Sequence, residues 1–130
     1  MIVAIHQPNY APWLGYFAKM ARADVFVFLD DVQYTKNSYI NRVRAANENW
    51  PRAHCDTLRT HYAGAPAFKA VWPWVAERYA ALPAGDLGAS NIALIAALAE
   101  KLGIGTDLRK SSAVETSDAK GDDRLIAIVK

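Results

Sequence analysis

Two short apolar runs frame the start of the chain. Residues 2–5 (Ile-Val-Ala-Ile) and 25–29 (Val-Phe-Val-Phe-Leu) are unbroken and rich in β-branched or aromatic side chains, as strands buried on both faces are. Between them Trp13, Leu14, Phe17, Met20 and Ala21 recur at three- and four-residue spacing after Pro12, which suits a helix start. Strand, loop, helix, strand predicts a βαβ unit with parallel strands and a right-handed crossover.

From Asp30 to Trp50 the periodicity vanishes, and Asp, Gln, Asn, Ser and Tyr predominate. This predicts a long loop with at most one short irregular strand, and long loops inside compact domains are often functional. Helical spacing resumes with Leu58 and Tyr62, near where His54 marks a helix beginning, and continues through Phe68, Val71, Trp72, Val75 and Tyr79. The clearest helix follows: Ser90 as N-cap, a stripe of Ile92, Ile95, Leu98 and Leu102, and Gly103 as its stop. Residues 104–108 predict a third strand. Residues 121–130 predict a last helix, with Asp122 and Asp123 at its positive end and Leu125, Ile126 and Val129 on its apolar side. The predicted fold is α/β, a short parallel sheet opened by a βαβ unit and followed by a mainly helical segment.

Composition narrows the class. At 130 residues, 52% hydrophobic and 22% charged, the chain suits one globular domain with a core that needs no disulfide or metal staple. The single Cys55 reads as a free thiol in a reducing compartment. A net charge of +2 is far below that of a nucleic-acid coat, so nucleic acid is not an expected partner. Neither a signal peptide nor an apolar stretch of membrane-spanning length stands in the sequence, and the expectation is a cytoplasmic protein.

Three clusters carry candidate chemistry. His6-Gln7-Pro8-Asn9-Tyr10 follows the first strand, where ligands of open α/β sheets bind, and Pro8 and Pro12 stiffen that loop. His6 suits a general acid or base, or a hydrogen-bond donor to phosphate; its plainer role is to bond backbone at the strand end. Asp30 and Asp31 end the second strand. One of them suits a hydroxyl, a metal or the His6 ring, while both also suit loop capping through Asx turns. The third cluster, Gln33, Tyr34, Lys36, Asn37, Asn41 and Arg42, mixes rings, amides and cations as a sugar or nucleotide site does. His54 and His61, seven apart, have no further zinc ligands at the usual spacing, so no metal site is expected. A glycine-rich phosphate loop, a G-x-S-x-G elbow and a Cys-x-x-Cys pair are all missing.

The run Ala4 to Tyr10, then Pro12-Trp13-Leu14-Gly15-Tyr16-Phe17, Ala23 to Tyr34, and Asn37-Ser38-Tyr39-Ile40-Asn41-Arg42 resembles the WbqC-like proteins, a bacterial family often linked with O-antigen and other surface-polysaccharide gene clusters. Weaker similarity continues through Tyr62 to Phe68, Asn91, Leu102 to Thr106, Ser111-Ser112, Gly121 and Asp123 to Ile126. The resemblance implies a transferase acting on an activated substrate, a nucleotide-linked sugar or an aminoacyl-type compound, and leaves the cofactor unspecified. His6, Asp30 and Asp31 are then the catalytic candidates. Gln7, Asn9, Tyr10, Gln33, Tyr34, Asn37, Asn41 and Arg42 are the substrate-binding ones. A non-catalytic binding module and an incomplete fragment stay open as alternatives. Family members usually carry a strand between the Asn-Arg motif and the later helix, and are commonly near twice this length. The chain is therefore expected to be an internally shortened, N-terminal portion of the family domain.

Overall fold

The computed structural model describes residues 1–31, 49–83, 85–114 and 121–129. The elements run β1 (Val3–His6), α1 (Leu14–Ala21), β2 (Val25–Phe28), α2 (Trp50–Tyr62), α3 (Phe68–Ala80), α4 (Leu87–Lys101), β3 (Asp107–Lys110), a 3-10 turn (Ser111–Ala113) and α5 (Asp122–Val129). All three strands are parallel in the order β1-β2-β3. This is the α/β fold with an opening β1-α1-β2 unit and a largely helical remainder that the apolar pattern predicts.

Register explains both the core and the edge that carries the candidate site. Ala4, Phe26 and Leu108 stand side by side across the sheet. Phe26 and Phe28 pack with Tyr16, Phe17 and Met20 of α1 and with Ile95 and Ala99 of α4; Ala4, Leu108, Ile92 and Leu98 flank that cluster. Alternation along β1 places His6 on the same face, beside Phe28. The three strands also end level, since His6 is opposite Phe28 and Phe28 opposite Lys110. The loops that follow all three therefore leave from one edge.

Several boundaries and faces differ from expectation. The third strand begins at Asp107, because Ile104 instead completes the end of α4. There Gly103 takes φ 71°, its N–H donates to the Glu100 carbonyl, and the Ile104 N–H donates to that of Ala99, closing a Schellman motif. The N-cap of α4 is Asp86, whose carboxylate accepts from the Ala89 N–H, so the helix starts ahead of Ser90. Ser90 lies fully buried within it, its hydroxyl donating to the Pro83 carbonyl. Leu102, counted in the apolar stripe, is exposed. On α5 the buried residue is Ile128, while Leu125, Ile126 and Val129 are exposed. Helix α2 begins earlier than its spacing suggested, at Trp50 with Pro51 in the first turn. On α1, Tyr16, Phe17 and Met20 are buried, but Trp13 and Leu14 are exposed and Trp13 precedes the helix as its cap residue.

Candidate functional site at the carboxyl edge of the sheet

The β1–α1 connection leaves the sheet at His6 and reaches α1 through Pro8, Asn9, Tyr10, Ala11, Pro12 and Trp13. His6 Nδ1 lies 2.9 Å from the Gln7 carbonyl oxygen, and its ring meets Tyr16 edge-on at 4.9 Å. A carbonyl only accepts, so this bond puts the proton on Nδ1 and leaves the lone pair of the neutral ring on Nε2. The Gln7 carbonyl also accepts from the Tyr16 hydroxyl at 3.2 Å, which fixes the strand end to α1.

Tyr10 is tied to the helical half of the molecule. Its hydroxyl is 2.5 Å from that of Tyr79 on α3 and 3.0 Å from Nδ1 of His54 on α2, and its ring lies edge-on to Trp50 and His54. Burial, reinforced by the Tyr79 hydrogen bond, raises the Tyr10 pKa far above the ordinary phenol range, and burial raises that of Tyr79 as well. Both phenols therefore stay protonated at neutral pH. They can donate hydrogen bonds but not act as bases.

A groove of about 500 Å³ is lined by Asn9, Tyr10, Ala11, Pro12 and Trp13. That volume falls within the range of small-ligand sites, roughly 300–1,000 Å³. Two further hollows, of about 350 and 380 Å³, lie along α2 and α3, and no strand-end residue lines either of them.

Asp30 and Asp31 form a separate cluster at the same edge. Asp30 accepts from the Ser112 N–H at 3.0 Å, the Ser112 hydroxyl at 2.7 Å and the Ser111 hydroxyl at 3.2 Å. Asp31 accepts from the Ser111 hydroxyl at 2.5 Å and pairs with Arg124 of α5. Burial works to raise both carboxyl pKa values. The serine hydrogen bonds, joined at Asp31 by Arg124, outweigh it, and both lie below the usual carboxylate range.

The structure thus divides the sequence candidates. His6, Gln7, Asn9 and Tyr10 share one loop. Asp30 and Asp31 lie at the neighbouring strand end and bond to Ser111, Ser112 and Arg124, and their hydrogen bonds do not include the His6 ring. Gln33, Tyr34, Asn37, Asn41 and Arg42 lie outside the described residues. Sequence reasoning gave no role to His54, Tyr79, Ser111, Ser112 or Arg124. For the two serines the signal was the family resemblance, which includes Ser111-Ser112; the predicted third strand ends at Leu108, and only the observed β3, ending at Lys110, brings them directly to a strand end. Among the described residues no three or more His, Cys, Asp or Glu side chains are placed to hold a metal ion, and no helix is long and apolar enough to cross a membrane.

The chain is 32% identical to an uncharacterized protein of Mycobacterium tuberculosis, Rv1507c, over an alignment that covers 91% of this chain and 63% of the relative. The chain thus spans less than two thirds of that relative's length. The alignment runs to 146 positions, longer than the 130-residue chain, so the relative carries residues that this chain lacks internally. No solved structure matches the chain. The sequence profile of the WbqC-like protein family matches residues 7–49 and 43–130, which together take in nearly the whole chain, from Gln7 of the first edge cluster through the Asp30–Asp31 cluster; the chain belongs to that family.

Proposed function

We propose that the chain is a transferase that binds a nucleotide-linked sugar at the carboxyl edge of the sheet and acts in bacterial surface-polysaccharide biosynthesis. The observation that supports this most is the His6 ring at the end of β1, its Nδ1 held 2.9 Å from the Gln7 carbonyl oxygen so that Nε2 is the ring nitrogen left for proton transfer. In the proposed reaction Nε2 takes the proton of an acceptor hydroxyl as that oxygen bonds to the anomeric carbon, and the nucleoside diphosphate departs with the electron pair of the broken bond. Asp30 and Asp31 hold the Ser111–Ser112 turn and Arg124 at the rim of the site. Gln7, Asn9 and Tyr10 contact the sugar, and Gln33, Tyr34, Asn37, Asn41 and Arg42, outside the described residues, are the further substrate-binding candidates.

Release of UDP from UDP-glucose, measured with the chain and with its His6→Asn variant, tests this reading. The expected result is a fall of about 100-fold or more in the variant, with calorimetric affinity for UDP-glucose retained. Equal release by both proteins removes His6 from the chemistry. Binding without any release by the parent chain identifies a binding module, a reading favoured by the fact that protein groups already engage both Asp carboxylates.

A further inference from the structure

Four features of the β1–α1 connection lack a structural purpose of their own. Trp13 borders the groove with 75% of its surface exposed, which is unusual for an indole next to a hydrophobic core. Its position depends on Gly15: a Cβ built there would overlap Cζ3, Cη2 and Cε3 of the indole, so the ring lies directly over the bare first turn of α1. Ala11, also in the lining, takes φ 42°, a left-handed conformation that costs a non-glycine residue about 1–2 kcal/mol. Such strain persists where surrounding structure enforces it, commonly at ligand sites.

The fourth feature is an unmet hydrogen-bonding capacity. The Asn9 Oδ1 is buried and has no partner among the described residues. Behind it, wholly buried Asn91 donates from Nδ2 to the Pro8 carbonyl at 2.9 Å, anchoring the base of the loop. That bond fixes the orientation of the Asn91 amide, and its Oδ1 is likewise buried without a partner among the described residues. A buried acceptor without a partner is costly, and the Asn9 Oδ1, next in sequence to the anchored Pro8, favours a donor supplied by a ligand. Among the described residues no charged side chain lines the groove.

We infer that this groove is the sugar subsite: a neutral pyranose ring stacks its apolar face on the Trp13 indole, and one of its hydroxyls donates to Asn9 Oδ1. The assignment rests on the nucleotide-sugar reading and sharpens it. It separates the sugar from the phosphates, which find no cation among the described residues lining the groove, and it makes Gly15 a positioning residue that acts only through Trp13.

Calorimetric titration with UDP-glucose, UDP and glucose, on the parent chain and on Trp13→Ala, Trp13→Phe and Gly15→Ala, tests the inference, with a thermal melt of each protein. Loss of a stacking partner predicts about a tenfold loss of UDP-glucose affinity in Trp13→Ala. Trp13→Phe should recover most of it, and UDP affinity should be unchanged throughout. Gly15→Ala should lose as much as Trp13→Ala while its melting temperature holds or rises, because alanine is the better helix former. Parent-like UDP-glucose affinity in both Trp13→Ala and Gly15→Ala overturns the stacking but leaves the nucleotide-sugar site standing. An equal Trp13-dependent loss for UDP alone overturns the sugar assignment in favour of the base. No binding of UDP-glucose by the parent chain overturns the site itself.

Discussion

The two clusters at the carboxyl edge stand a strand apart and are built in opposite ways. Around Asp30 and Asp31 charged and hydroxyl groups are matched: two carboxylates, two serines, a backbone N–H and Arg124 bind one another and join the ends of β2 and β3 to α5. Around Asn9 and Trp13 the matching is incomplete, with a buried acceptor unpaired among the described residues, an indole exposed and a backbone residue in a left-handed conformation. The contrast separates holding from binding. A protein group that already has its partners keeps the fold together, whereas groups left without partners at a strand end are available to a ligand.

Substitutions should separate the two regions. The largest effect on stability is expected from Asp30→Ala, which removes the acceptor of the Ser112 N–H and hydroxyl while Ser111 keeps its shorter bond to Asp31; chemical denaturation should show a loss of about 1 kcal/mol. The pH dependence should follow. Both Asp pKa values are depressed in the folded chain, so their contribution is fully present above the unfolded value of about 3.9 and is lost as pH falls through the lower folded values. Acid unfolding of Asp30→Asn should accordingly show a shallower decline below about pH 4 than the parent chain. If its acid limb has the parent's slope, the carboxylate is not held as described.

A smaller effect of opposite sign is expected in the other region. Ala11→Gly relieves the left-handed strain but adds freedom to the unfolded chain, for a net gain of about 0.5 kcal/mol in denaturation experiments. The same change should weaken UDP-glucose binding by loosening the loop. A substitution that stabilises the fold and weakens the ligand would mark this loop as strained for binding; a loss of stability would instead mark it as a structural turn.

Local pattern made the framework legible. Apolar runs gave β1 and β2, the Phe17 and Met20 spacing gave the buried side of α1, and Gly103 marked the end of α4. Where two local rules competed, the pattern misled. Ser90 and Asp86 are both good caps, and only the packing of α4 shows that the serine is interior. Trp13 and Leu14 are as apolar as Phe17, yet the phase of the helix is set by Tyr16, Phe17 and Met20 meeting Phe26, which turns the first two outward. The site was legible as a place, the ends of the first two strands, but not as partnerships. Tyr10 meets a tyrosine 69 residues away and Asp31 meets an arginine 93 residues away, and such pairings arise from tertiary packing that no short window contains.

The central claim is that the β1–α1 connection, and not the Asp30–Asp31 cluster, is the surface that receives the sugar. Amide hydrogen exchange with and without UDP-glucose tests it most directly. The account predicts added protection over residues 9–16, with the amides of residues 30–31 and 111–112 unchanged. Protection confined to residues 30–31 and 111–112, with residues 9–16 unaffected, would contradict it.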